Sequence, residues 1–170
     1  MAFYIIIRGP AGVGKTTVSK KLSKKLKAHY ISFDSLLKKH KLDYILGRPC
    51  IPPHNFIKIN KIVAPESKKR LEKGQILIFE GTCYHKSTIK DLIQRLSFKH
   101  FIFTLKADRE ECVKRDKKRK SMGKKRIYDV HKLVTKFDTG IIINTNNKST
   151  LKIVKEIQSH LPFATLTKDF

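Results

Sequence analysis

Gly9, Gly14, Lys15 and Thr16 stand in the spacing G-x-x-x-x-G-K-[ST] within RGPAGVGKTT. That spacing suits a backbone that curls around a phosphate chain with its N–H groups turned inward. Glycine supplies the positive φ angles and keeps side chains out of the approach. Lys15 places a full charge near the β- and γ-phosphates, and the N-terminus of a following helix adds a partial one. The Thr16 hydroxyl is the group that ligates Mg²⁺ in such loops. Gly9, Pro10, Ala11, Gly12, Val13, Gly14, Lys15, Thr16 and Thr17 are therefore the candidate nucleotide-binding residues, with ATP and Mg²⁺ as the implied cofactors. Chance also produces glycine-rich turns of this pattern. Here the turn joins an apolar run, Phe3 to Ile7, to a helical pattern, which is the context the chemistry requires.

Two carboxylates stand where they can act on that phosphate. Asp34 follows the short run HYISF, and Glu80 closes the run QILIFE. At the carboxyl end of a strand in an open α/β sheet, a side chain faces the ligand crevice. Asp34 is thus a candidate general base, able to take a proton from an attacking hydroxyl and to bind that acceptor. It is also a good helix N-cap, and the two roles are compatible. Glu80 is the candidate second metal-side residue beside Thr16, with Glu in place of the commoner Asp. Gly81 lets the backbone approach the acceptor, and Arg48 is the candidate anion-binding residue of the loop before it.

Arg115 and Arg119, four apart, share one helical face in ADREECVKRDKKRKSMGKKR. With Gly123 as a hinge, they are candidate catalytic residues that clamp the γ-phosphate and stabilise the charge spreading over its oxygens. Arg126 is a third candidate. A solvated basic helix is the plainer alternative. Arg8 reads as a surface residue or as a group reaching the nucleotide, and His85 as a helix-start or surface residue. The turn Asn144-Thr145-Asn146-Asn147 is placed near the adenine.

The elements that must hold these residues alternate strand and helix. Apolar runs at 3–8, 29–33, 75–80, 99–105 and 140–143 read as strands buried on both faces, hence parallel. Helical periodicity covers 15–27, 35–41, 54–73, 87–97, a stretch beginning at 107, 127–137 and 149–160. Pro65 is expected to kink or split the 54–73 helix. Residues 42–73 form the expected cover over the acceptor and about 108–126 the expected helical lid. A chain of 170 residues without internal repeat or linker is expected to be one domain, 1–170, of the α/β class.

Charge is the unusual bulk property: Lys+Arg of 38 against Asp+Glu of 14 gives +24. Two readings stand. The excess suits a phosphate-rich partner, RNA or DNA. Only eight of the 38 are arginine, which fits a lysine-painted surface set by genome composition. No apolar run approaches the ~20 residues that span a bilayer, and the N-terminus lacks a signal-peptide layout, so a cytoplasmic location without membrane contact is expected. Cys50, Cys83 and Cys112 lack metal-ligand spacing and read as reduced thiols.

Taken together, RGPAGVGKTT, SFD, ILIFEGT and LKADREECVKRDKKR resemble the small P-loop kinases. The branch is that of polynucleotide kinases, chloramphenicol phosphotransferase, gluconate and shikimate kinases and adenylylsulfate kinase, which also carries the AAA-type ATPase label. The resemblance implies a P-loop NTPase of three layers, α/β/α, with a five-stranded parallel sheet and a helical lid. It implies ATP-dependent transfer to a hydroxyl, with Asp34 as base, Lys15 and Thr16 on phosphate and Mg²⁺, and Arg115 and Arg119 on the lid. Ser32 stands where shikimate kinase has a second acid, which argues against shikimate. Two other readings are a nucleoside monophosphate kinase resembling adenylate kinase and a nucleotide-dependent RNA-binding or assembly factor.

Overall fold

The structure, a computed structural model, describes residues 2–43, 46–118 and 122–162. Strand β1 (Tyr4–Arg8) is followed by α1 (Lys15–Leu26), β2 (His29–Ser32), α2 (Phe33–Lys39) and α3 (Pro53–Glu72). Then come β3 (Leu77–Gly81), α4 (Lys86–Leu96), β4 (His100–Lys106), α5 (Arg109–Lys117), α6 (Lys124–Val134), β5 (Ile141–Asn144) and α7 (Thr150–Ser159). All four strand pairings are parallel, in the order β2-β3-β1-β4-β5. Each strand therefore returns through helices laid on the faces, as parallel connections demand.

Because side chains alternate along a strand, the apolar run of β1 serves both faces at once. Ile5 and Ile7 point toward α1, α5 and α7, meeting Val18, Leu22, Val113, Ile153 and Ile157. Tyr4 and Ile6 point the other way, toward α2, α3 and α4, meeting Leu37, Phe56, Ile59, Leu92 and Leu96. Each such side chain buried contributes on the order of 1.5–3 kcal/mol, so two filled faces make the three-layer α/β/α sandwich the favoured packing.

Three expectations need correction. The 54–73 helix is not split in two: α3 runs through Pro65 as one helix. That proline sits on the exposed side, where water can satisfy the carbonyl it cannot serve. Nor is α3 a loose cover, since Phe56, Ile59, Ala64 and Leu71 belong to the core and the helix packs along α4. Before α3, the described residues of the expected cover form no helix or strand. Finally, Asp34 does not cap α2. Ser32 does, its hydroxyl accepting from the Ser35 N–H at 3.3 Å, and Asp34 sits within the first turn.

The chain leaves β1 for the β2 edge, returns through β3, then crosses β1 to β4 and β5. Connections therefore diverge on either side of β1 at its carboxyl end, where open parallel sheets keep their ligand crevice. The loop 9–14 sits at that end.

Candidate active site

Gly14 adopts a left-handed conformation (φ 98°, ψ 12°) at the start of α1, and no side chain caps the helix. Its first N–H groups are thereby left open at the positive end of the helix dipole, a ready anion site. Gly12 is required for a different reason. Its φ is +79°, and an added Cβ would lie 2.4 Å from the Cys112 carbonyl oxygen. The loop lies directly on α5. Lys15 is buried, and its Nζ donates to the Pro10 carbonyl at 2.9 Å, folding the charge back across the loop.

An open cleft of about 520 Å³ faces the loop. Gly12, Gly14, Lys15, Thr16 and Glu80 line it together with Asp34, Lys38, Asp43, Thr82 and Arg126. Asp34 and Lys38, four apart on α2, stand on one helical face. Ile51, Tyr84 and Met122 add apolar surface. Asp34 is exposed to solvent where it lines the cleft, with protein atoms crowding its carboxyl. Desolvation raises its pKa, the Lys15 ammonium opposes that shift, and Glu80 reinforces it. The Thr82 hydroxyl is buried and makes no hydrogen bond beyond a weak interaction with the Tyr84 hydroxyl.

Glu80 is 1% exposed. Its Oε1 accepts from the Thr16 hydroxyl at 3.4 Å and its Oε2 from the Tyr30 hydroxyl at 2.8 Å. Strand register explains the second bond: Ser32 pairs with Glu80 and Tyr30 with Ile78, so Tyr30 is a diagonal neighbour on the same sheet face. Burial first, then the Glu80 charge, raises the Tyr30 pKa, keeping the phenol a donor. Two oxygen donors converging at Thr16 and Glu80 are the hard set that suits Mg²⁺.

Arg115 holds the loop from behind. Its Nε donates to Glu111 at 2.9 Å, Nη1 to the Val13 carbonyl and the Thr145 hydroxyl, each at 3.0 Å, and Nη2 to the Thr145 carbonyl at 2.8 Å. It is thus a strap joining α5, the glycine loop and the turn after β5, rather than a free clamp as expected. Arg119 lies outside the described residues. Arg126 reaches the cleft from α6 while its Nη1 donates to the Pro49 carbonyl at 3.0 Å, tying α6 to the cover. Arg48 is exposed on that cover and does not line the cleft. Gly81 is buried, and the space its side chain would need is occupied by Phe33, whose Cβ would stand 3.0 Å away. Thr82, the next residue, lines the cleft.

Arg8 is neither a surface residue nor a nucleotide ligand. It is fully buried, with Nη1 on the Thr104 hydroxyl and the Phe137 carbonyl at 3.3 and 3.1 Å, and Nη2 on the Val134 carbonyl at 2.7 Å. Its guanidinium stacks 4.1 Å from the Phe137 ring centre. Burial lowers its pKa. His85 occupies the N-cap position of α4, the helix start it was expected to mark. The three cysteines are free thiols, with Cys83 and Cys112 pushed up by burial to about 12 and about 11.

Sequence reasoning missed Tyr30, Lys38, Asp43 and Thr82, and placed Thr145 in a turn near the adenine without its bonds to Arg115. Lys38 alone carried a usable signal, four residues after Asp34. The others depend on register or on loops meeting across the cleft.

This sheet order, with a glycine loop at the end of the central strand and paired carboxylates beside it, defines the P-loop class in its small-kinase architecture. Over residues 5–135 the chain matches the AAA domain family model, and it belongs to that family. No curated protein sequence matches it. Among solved structures it resembles a sugar kinase from Janibacter sp. HTCC2649 at 13% identity and a TM-score of 0.74, covering 94% of each chain. Shikimate kinase from Acinetobacter baumannii, in complex with shikimate, aligns at 16% identity and 0.63, over 100% of this chain and 96% of that one. The Deinococcus radiodurans tunicamycin resistance protein aligns at 17% identity and 0.66, over 98% and 96%. At these identities the likeness concerns the fold. No helix among the described residues is long and apolar enough to cross a membrane.

Proposed function

We propose that the chain is a cytoplasmic single-domain phosphotransferase that moves the γ-phosphate of ATP to a hydroxyl acceptor. The observation that carries this reading is that Asp34 opens onto the same cleft as Lys15, Thr16 and Glu80. A carboxylate facing away from the loop would have left only a nucleotide binder. The uncapped start of α1 and the loop N–H groups hold the phosphate chain, and Lys15 swings from Pro10 to its β- and γ-oxygens. Asp34 accepts the hydroxyl proton as the acceptor oxygen bonds to the γ-phosphorus and the bridging oxygen departs with ADP. Its raised pKa brings its basicity nearer the working pH than that of an exposed aspartate. Thr82, with an unsatisfied hydroxyl, orients the acceptor.

Thr16 and Glu80 would hold Mg²⁺, which would supply positive charge to the phosphate chain. Tyr30 positions Glu80 for that role, and Arg115 keeps the loop in shape. Arg119 is the proposed clamp on the transferred group, and Arg126 a second cation on the acceptor side.

Transfer of label from γ-labelled ATP into total small metabolites and total RNA tests the assignment. One pool should take label, and Asp34→Asn should lower that transfer by about 100-fold or more while ATP affinity is kept. Full function in Asp34→Asn would overturn the kinase reading in favour of a nucleotide-dependent binding factor. Fast turnover on AMP, CMP or UMP would move it to the nucleoside monophosphate kinases.

A further inference from the structure

Helix α1 carries five lysines in KTTVSKKLSKKL, with Lys27 directly after it, and no acidic residue. A second groove, of about 570 Å³, runs along this helix. It is lined by Thr16, Thr17, Lys20, Lys21, Lys24 and Thr150. Thr16 also lines the active-site cleft, so the groove begins at the phosphate end of the nucleotide site. No carboxylate lines it.

Elsewhere five of the chain's 14 acids pair with basic side chains: Arg70–Glu66, Arg95–Asp91, Lys106–Asp138, Arg115–Glu111 and Lys148–Glu156. None of these pairs, among the described residues, involves a lysine of α1. Lys20 and Lys24 are instead one turn apart on the same face. A like-charged pair at that spacing opposes the helix by about 0.2–0.5 kcal/mol. A general lysine bias explains many lysines. It does not explain a concave groove from which acids are missing while acids neutralise other surfaces. On the far side, α7 starts beneath a Ser149 cap, so Thr150 sits at the positive end of that helix dipole.

We infer that this groove binds the phosphodiester backbone of a single-stranded nucleic acid, held alongside the nucleotide site rather than in the acceptor cleft. The lysines serve as point charges that displace counterions from successive phosphates, without base readout, which arginine forks would favour. The inference assigns a partner surface to the protein and does not depend on the acceptor: oligonucleotide binding stands if no transfer activity is found, and its failure leaves the transferase reading intact.

The test measures anisotropy of labelled RNA and DNA single strands of about 12 nucleotides, a length within the range such grooves cover. The full chain is titrated between about 50 and 200 mM salt. The triple variant Lys20→Ala/Lys21→Ala/Lys24→Ala is compared with Lys68→Ala/Lys69→Ala/Lys73→Ala, which removes equal charge from the exposed end of α3. The first should weaken binding at least 10-fold and flatten the slope of log K against log salt by about 2, three charges at ~0.7 each. The control should change affinity by less than about 3-fold. Alanine favours helix and relieves the repulsion, so the first variant should melt no earlier than the parent. Equal loss in both triples would reduce the effect to net charge and overturn the inference. An equal loss of MgATP affinity would do so too, by making the groove part of the nucleotide pocket. Tighter capture on anionic phospholipid vesicles than on either oligonucleotide would also sink it.

Discussion

Asp34 holds a conflict that has a measurable consequence. Its folded-state pKa is raised by desolvation, with Lys15 only partly offsetting the effect. Between the unfolded and folded pKa the native chain therefore binds more protons than the unfolded chain, and stability falls as pH rises through that window. The ionised base thus costs stability at neutral pH. We predict that Asp34→Asn raises the melting temperature at neutral pH, with the gain shrinking to nothing below the ordinary aspartate pKa of about 4. The acid limb of kcat/KM should likewise lie above the range of an exposed aspartate. A melting temperature that drops in Asp34→Asn at pH 7 would mean that the carboxylate stabilises the fold and that its environment has been misread. Loss of activity with gain of stability is the trade expected of a group placed for chemistry.

At the scale of the element, the glycine loop is shaped as much by α5 as by phosphate. The motif requires Gly9 and Gly14 and leaves position 12 free, yet Gly12 is the glycine against which the α5 backbone is packed. Gly14 has an unfavourable φ for other residues but open space around its missing Cβ. Gly14→Ala should therefore cost about 1–2 kcal/mol, the strain of a left-handed alanine. Gly12→Ala carries the same strain plus a collision with backbone that cannot rotate away, and should cost clearly more, with displacement of Arg115 from Val13. Thermal or urea melts of the two variants decide this, and a reversed order would refute it. Helix α2 shows the same dependence on neighbours: Ser32 takes the cap, which frees the Asp34 carboxylate for the cleft.

Across the whole molecule, Arg8 connects the nucleotide loop to the helix that carries Arg126. It immediately precedes Gly9, and its fork holds the carbonyls at the C-terminal end of α6. A basic group there also suits the helix dipole. Lysine in its place would bury the same charge with a single point of donation, so two of the three acceptors would lose their partner. We predict that Arg8→Lys lowers unfolding free energy by about 2–4 kcal/mol, from about 1–2 per stranded group, read as a lower urea midpoint with unchanged slope. An unchanged midpoint would show that the fork contributes nothing net.

The order of strands and helices, the three-layer class, the nucleotide loop and the cleft positions of Asp34 and Glu80 all followed from the amino-acid sequence. Those features rest on periodicity and on short motifs, and both are local: the 2-residue and 3.6-residue repeats are written along the chain, as is a phosphate-binding turn. Tertiary structure alone decided which arginines face the cleft. Arg8, Arg48, Arg115 and Arg126 are one residue type, yet one is buried, one is exposed, one straps the loop and one lines the cleft. Tyr30 meets Glu80 only because two strands pair in one register, and Gly81 yields to Phe33 rather than to a ligand. A long side chain's partner is set by what the fold carries to within hydrogen-bonding distance, and for Arg8 and Thr104 that partner is 96 positions away.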